Sequence, residues 1–591
     1  MSHSTFPARL AFAACSIALL LATDSAVAQC GATVSTPAFN ANWTIQNSPY
    51  CVTQTIQVGN LTIDPGVEIR MAPGASLQVV SWLRANGTRE QPVVFRAQNL
   101  AQGRWGGIEF AGPVAPNNAS SLSHCVVTEA GDSGVRILNN DQVTLQGCSI
   151  RNNTSALNGG GLRVQLTSGF VTAFACEIEN NQAAHHGGGV HATTSGGATF
   201  ALADCLIQGN LANPSNAAGN IQGGGIWSSG NLALLACKVA GNRAATQVCF
   251  GSIAARGGGI YATNGDVFVA NSVVVENECS ATTSTAACGG QSGISEGGGL
   301  WTGATIGSLT VRNSLVCCNS ASASGPGTAQ RGSGVFTAAA TASLENCTVA
   351  RNWNQGIHVA SGSTGLSNSI VFHHSIASIQ GTAVATYSNI EGSHPGTGNI
   401  NFNPVFSGPG CEPEHFALQP FSPCIDAGDP AASANDSCRP PAQGTGRNDI
   451  GALGGPGNCG FTGPSVIVCG AQTYGTLMQP GGDITLDWNA TGNAPPHPGT
   501  ISIGNGTPST AGLMLISLAP ANSVIGGVTI LVDLSSVNPV PIQLNAQGTW
   551  SASINLQLPF LVGLPIFLQA IELPSGSAPR ASNGLRVASC F

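Results

Sequence analysis

At 591 residues the chain is too long for one ordinary domain, although a solenoid can absorb several hundred residues. Only 8% of the residues are charged, the net charge is -8, and Lys238 is the sole lysine. Affinity for nucleic acid comes mainly from Lys and Arg neutralising phosphates, and anionic membrane surfaces attract polybasic segments, so the composition argues against both partners.

The N-terminus reads as an export signal. Arg9 precedes an apolar run from Leu10 to Ala22, and Ala26-Val-Ala28 has the small-x-small pattern of a cleavage site, which sets the signal at 1–28. The run is too short and too early for a transmembrane helix. Gln29 stands where lipid attachment at Cys30 would need a small residue. The mature chain is expected to be secreted or associated with a cell surface, monomeric, and without a transmembrane segment.

Residues 29 to about 50 are expected to lead into a coil and help cap it, and early rungs follow to about 140. From 141 to 360 two short phrases alternate. One is glycine-led: Asn158-Gly-Gly-Gly-Leu-Arg-Val164, His186-Gly-Gly-Gly-Val-His-Ala192 and Gln222-Gly-Gly-Gly-Ile-Trp-Ser228, then 256–262, 296–302 and 331–337, with 355–359 a worn last copy. The other runs from Cys or Ser to Asn: Cys148 to Asn153, Cys176 to Asn181, Cys205 to Asn210, Cys237 to Asn242, Ser272 to Asn277, Ser314 to Asn319 and Cys347 to Asn352. Such self-similarity marks a solenoid. The apolar stretches are short, alternate, and are bounded by Gly or Asn, which is strand punctuation. Glycine supplies positive φ and close backbone approach, and Asn tolerates the left-handed conformation. One corner of each kind per turn predicts an all-β chain, a right-handed parallel β-helix over 29–460.

The paired phrases resemble the repeats of chlamydial polymorphic outer-membrane proteins, with Cys or Ser here where that family has Phe. Leu61 to Ile69, Leu83 to Thr88, Pro92 to Phe95 and Trp105-Gly-Gly-Ile108 look like the opening rungs of pectate-lyase-like β-helix proteins. Ser422 to Asp429 followed by Asp449-Ile-Gly-Ala452 is similar to the closing segment of many secreted bacterial β-helix proteins. These resemblances imply architecture. If the pectate-lyase-like likeness extended to activity, it would imply polysaccharide cleavage.

Looser rungs and the closing segment fill 361–460. From about 461 proline rises and alternating stretches recur, among them Ile484 to Trp488, Val528 to Val532 and Ile566 to Ala570, which suggests a β-sandwich over 461–591. Of 20 cysteines Cys15 lies in the signal, leaving the odd number 19. Cys148, Cys176, Cys205, Cys237 and Cys347 share one register and are read as a buried thiol ladder, with Ser272 and Ser314 in its gaps. Disulfide candidates are Cys279 with Cys288 in one loop, Cys30 with Cys51, a group of Cys411, Cys424, Cys438 and Cys459, and Cys469 with Cys590.

Alternation along each glycine-led strand sends Arg163, His191, Trp227, Tyr261, Trp301, Phe336 and His358 outward, about 4.8 Å apart from rung to rung. This stripe is the candidate ligand-binding surface, offering ring faces to sugar rings. The alternative is that it packs beneath the long segments 211–222, 243–256 and 278–296, since large apolar side chains usually find cover. The acids of the regular coil pair loosely at best (Glu177 with Asp204), so no catalytic residue is assigned. His185, His186 and His191 lack the further ligand a zinc site needs, and Asp426, Asp429, Asp436 and Asp449 suit turns better than calcium. No cofactor or metal is assigned. The expected role is a surface or extracellular scaffold that binds polysaccharide or a cell-surface component. A pectate-lyase-like lyase or glycoside hydrolase and a structural spacer are the alternatives.

Overall fold

The computed structural model describes residues 30–460, apart from 112–118, 140–141, 216–218, 249–252, 284–292 and 325–327, together with antiparallel strands between 470 and 588. The signal at 1–28, Cys288, Cys469 and Cys590 lie outside the described residues.

The coil has three faces. One turn starts on the first face, as in Leu162–Leu166, continues onto the second at Phe170–Phe174, and crosses the third at Glu177–Glu179. Each strand pairs in parallel with its counterpart one turn later, Leu162–Leu166 with Val190–Thr194 for example. The third face is a sheet of 14 strands, and the other two are joined through Ile56–Ile63, which pairs with Ser76–Val79 and with Leu83–Asn86. Among the described residues there is no α-helix.

Local chemistry sets the corners. Between second and third faces one residue adopts positive φ, including Ala175 at 50° and Ala236 at 52°, and the next residue turns inward as a rung of the thiol ladder. Cys148 donates to Leu122 O at 3.1 Å, and where serine takes the register Ser272 Oγ donates to Ala270 O at 2.8 Å. Burial pushes the thiols of Cys125, Cys176 and Cys205 up, and that of Cys347 up to about 12. After the third face a second positive-φ residue, Asn180 or Gly209, precedes the buried ladder asparagine. The left-handed residue is thus the neighbour of the asparagine that enters the core. Asn210 Nδ2 donates to Ile178 O at 2.8 Å and to Asn242 Oδ1 at 2.9 Å, and the same pattern links the asparagines from 153 to 352.

The glycine corner fits against that ladder. Gly257 takes φ +62°, a Cβ on Gly258 would lie 2.4 Å from the Glu278 backbone, and one on Gly259 would lie 2.7 Å from Gly299 O and 2.9 Å from Asn277. The three positions exclude side chains for different reasons: backbone conformation, a neighbouring strand, and the asparagine column.

The described parts of the long segments form strands. After each ladder asparagine the chain runs outward, as in Arg243–Val248, Glu278–Thr283 and Ser320–Ser324, within a parallel sheet of six strands. It returns along Ile253–Arg256, Gly293–Glu296 and Ala329–Arg331, within a sheet of four. Ala212, Ile221, Ala244, Ile253, Cys279 and Ala321 give this lateral fin its own small core. Cys279 therefore faces inward as a free thiol, which corrects its assignment to a loop disulfide; inward alternation places it in register with Ala244 and Ala321.

The closing segment folds back along the third face. Outward apolar groups there, Val273, Val275, Leu315, Ile370 and Phe372, are covered by Phe406, Phe416, Leu418 and Ile450. Asn313 Nδ2 donates to Gly454 O, and Asp429 N donates to Asn368 Oδ1. Cys318 bonds to Cys411 and Cys438 to Cys459, while Cys424 is free and buried, so only two of the four grouped cysteines pair with each other. Cys30 pairs with Cys51, and disulfides of this kind suit an oxidising compartment. Past Gly460 pairing becomes antiparallel, Gly470–Tyr474 with Gly584–Ala588 and Ala511–Ser517 with both Asn538–Gln543 and Pro565–Glu572.

Candidate binding face

The register on the first face is direct. Arg163, His191, Trp227, Tyr261, Trp301, Phe336 and His358 are Cα partners on seven successive turns. Their rings lie face on face. Centroids are 4.2 Å apart for His191 and Trp227, 6.1 Å for Trp227 and Tyr261, and 4.4 Å for Tyr261 and Trp301. The column continues at 5.7 Å to Phe336 and 5.2 Å to His358, and no two neighbouring planes differ by more than 11°.

This corrects the picture of open ring faces. Each inner face is occupied by the next ring, with no room for a sugar between, so the column presents edges. Ring edges carry the positive end of the aromatic quadrupole and suit oxygen atoms. His191, Tyr261 and Phe336 are buried, whereas Arg163, Trp227, Trp301 and His358 keep partial access to solvent. The two indoles reach past their smaller neighbours. Burial, with help from the Arg163 charge, pushes the His191 imidazole down to about 3, so it is neutral across the physiological range.

A second row adjoins the first. The residue before each glycine run is polar: Asn158, His186, Gln222, Arg256, Glu296, Arg331 and Gln355. It sits where the fin strands meet the corner, and it grips the column. Trp227 Nε1 donates to Gln222 Oε1 at 3.0 Å, Trp301 Nε1 to Glu296 Oε2 at 3.3 Å, and His358 Nδ1 lies 2.9 Å from Gln355 Oε1. Glu296 is the centre. Its side chain is 5% exposed, and Arg256 and Arg331 approach its two oxygens at 2.9 and 3.0 Å. Both oxygens of Glu296 are thus engaged, Oε2 by Arg256 and Trp301 and Oε1 by Arg331. Sequence reasoning did not single out this row, although its signal, seven polar residues in one register, was present.

The column also extends toward the N-terminus. Arg136 pairs in register with Arg163 and Glu109 with Arg136, and the Arg136 guanidinium lies 2.9 Å from Glu109 and 3.1 Å from Asp132. The signal for these was the shorter glycine phrases at Gly106-Gly107 and Gly134.

The other candidate groups separate. Glu177 pairs in register with Leu206, and Asp204 occupies a positive-φ corner. Asp266 accepts from Ser308 Oγ at 2.8 Å. Asp426, Asp436 and Asp449 spend their oxygens on backbone amides of Thr445, Gly455, Gln443 and each other. Among the described residues no group of three His, Cys, Asp or Glu converges as a metal site would require, and no helix is long and apolar enough to cross a membrane.

Comparison with known proteins bears on the architecture. A family model described as right handed beta helix region matches residues 86–244, and with the strand pairing it identifies a right-handed parallel β-helix. No curated protein matches the chain. Among solved structures, the crystal structure of a pectate lyase aligns with a TM-score of 0.32 at 13% identity, covering 66% of this chain and 88% of that one.

Proposed function

We propose that the protein is an exported, non-catalytic scaffold that binds an extended polysaccharide along its first face. The observation that carries this reading is the unbroken column of seven outward side chains, bordered by a polar row at every rung. A long ligand is suited to a surface that repeats every rung, about 4.8 Å. Sugar oxygens meet the ring edges, and the guanidinium of Arg331, which keeps 45% of its side chain exposed, supplies donors at the border. Export is supported by the leader-like 1–28 and by the disulfides.

The test is a glycan-binding screen of residues 29–591 beside the double variant Trp227→Ala, Trp301→Ala, with reducing ends and unsaturated products followed in the same wells. Binding that is lost in the double variant without product formation supports the scaffold. Product formation would establish an enzyme instead, and the absence of both signals would leave a structural role.

A further inference from the structure

The amides of the polar row are fixed in orientation by their partners. An indole N–H and a backbone N–H can only donate, so the amide atom that meets them is the oxygen. Trp227 Nε1 donates to Gln222 at 3.0 Å, Gly332 N to Gln355 at 3.1 Å, and His186 N to Asn158 at 3.0 Å. The three amide nitrogens therefore point away from these contacts, and they have no partner among the described residues. Each belongs to a half-buried residue, and none of the three nitrogens is shut off from solvent.

The charged members of the face have the same polarity. Glu296 is the only carboxylate of the row, and both of its oxygens already accept. Arg331 uses Nη1 on Glu296 and keeps 45% of its side chain exposed. Arg163 is half-buried at the head of the column, and its guanidinium makes no ion pair or hydrogen bond among the described residues. Over the seven rungs Arg163, Arg256 and Arg331 stand against Glu296 alone, an excess of positive charge on a chain whose net charge is -8. Further toward the N-terminus Arg136 is already held by Glu109 and Asp132, so the excess lies on the rungs of the column.

A ligand hydroxyl set against a row of donors accepts a bond and still has its own hydrogen to place. A carboxylate or sulfate oxygen accepts and has none. Bonds from arginine to an anionic oxygen are also the stronger kind. We propose that the ligand of this face is an anionic polysaccharide, carrying carboxylate or sulfate-ester groups along its length. The outward nitrogens of Gln222, Arg256, Arg331 and Gln355 hold those groups, with Arg163 at one end. This ligand class rests on the polysaccharide reading above and narrows it. Because the row's carboxylate is already engaged, nitrogen grips the anion directly, without a bridging cation. A neutral glycan gains none of the charge-assisted bonds.

The test is calorimetric binding of residues 29–591 to dextran, pullulan and a mixed-linkage β-glucan, each as the unmodified polymer, the carboxymethyl ether and the sulfate ester. Titrations are repeated with EDTA and with added sodium chloride. The expected result is that a charged form binds about tenfold or more tighter than its neutral parent, weakens with salt, and is indifferent to EDTA. The tighter of the two charged forms identifies the anionic group. Gln222→Glu keeps an oxygen for Trp227 and turns the outward donor into an acceptor, so it should weaken that binding about tenfold, as should Arg163→Gln. Arg243→Gln removes the same charge from the fin and should change nothing, and an unchanged far-ultraviolet spectrum would show that each variant keeps the coil. A neutral polymer bound as tightly as its charged forms would overturn the anionic ligand and leave the polysaccharide reading standing. No binding to any of the polymers would overturn both. Binding abolished by EDTA would put a cation between ligand and row, and equal losses in Arg243→Gln and Arg163→Gln would mean general attraction of charge; either would overturn the proposal.

Discussion

The Trp301 indole N–H donates to Glu296 Oε2 at 3.3 Å, and that contact fastens the ring column to the polar row. Glu296 also anchors Arg256 and Arg331, so one buried carboxylate ties three rungs together. Replacing it by alanine leaves two guanidiniums and an indole without their acceptor. The expected cost of Glu296→Ala is about 2 kcal/mol, below the range for a wholly buried pair because both arginines are partly solvated. Urea unfolding of the variant checks it, and Trp301→Phe should lose less, because it gives up one hydrogen bond and retains the stacking.

The asparagine column sets a sharper contrast with the thiol ladder. Asn210 accepts from Asn181 N at 3.0 Å and donates to Ile178 O and Asn242 Oδ1, all in the core. Asn210→Ala should cost about 3 kcal/mol or more, since several buried groups lose partners at once. Cys205→Ser should cost less than about 1 kcal/mol, because Ser272 and Ser314 already fill that register and bond the carbonyl two residues back. Equal losses in the two unfolding curves would contradict the assignment of these columns.

Ala175 and Ala236 hold positive φ without the freedom of glycine. A left-handed alanine carries strain of about 1–2 kcal/mol, partly offset in a glycine variant by greater freedom of the unfolded chain. Ala175→Gly and Ala236→Gly should each raise the urea midpoint, with a gain of about 0.5 kcal/mol. A lower midpoint would mean that side-chain packing at these corners outweighs backbone conformation.

How much of this was readable beforehand depended on whether a signal lay within one turn. Trp227, Tyr261 and Trp301 are legible as one column because each follows glycines that fix both its rung and its direction. The thiol ladder is legible for the same reason. Ring orientation is not, since alternation says that a side chain points outward and is silent about whether it shows a face or an edge. The link from Glu296 to Arg256 and Arg331 joins residues 40 and 35 positions away, and only the register reveals it. The fin stayed hidden because Ile253-Ala-Ala-Arg256 is too short and too small-sided to announce a strand. The fold-back of the closing segment depends on apolar residues of the third face whose exposure the repeats do not encode.

The closing segment should respond to pH. Burial pushes Asp436 up to about 7 and Asp449 up to about 6, from ordinary values near 3.8. Both are protonated in folded and unfolded states at low pH, where their full contribution to stability is present. As pH rises past 4 the unfolded chain ionises first, and that contribution is lost progressively until about 7. Amide exchange across 424–457 is therefore expected to be slower at pH 4.5 than at pH 8 after correction for intrinsic rates, and Asp436→Asn should flatten the difference. The opposite slope would mean that the amide donors around Asp436 and Asp449 outweigh burial.

Successive core asparagines are separated by 28, 29, 32, 35, 42 and 33 residues, yet each amide contact spans 2.9–3.0 Å. Most of the slack is taken up in the fin, and the rest in the turn between the first and second faces. Insertions and deletions in the fin leave the asparagine contacts unchanged, so the fin can vary while the axis is held fixed. Copying a single unit from one ladder cysteine to the next would lengthen the molecule by one graduation of about 4.8 Å and add one more side chain to the column. Length and decoration are thereby separate heritable traits, the first altered by duplication and the second by slippage.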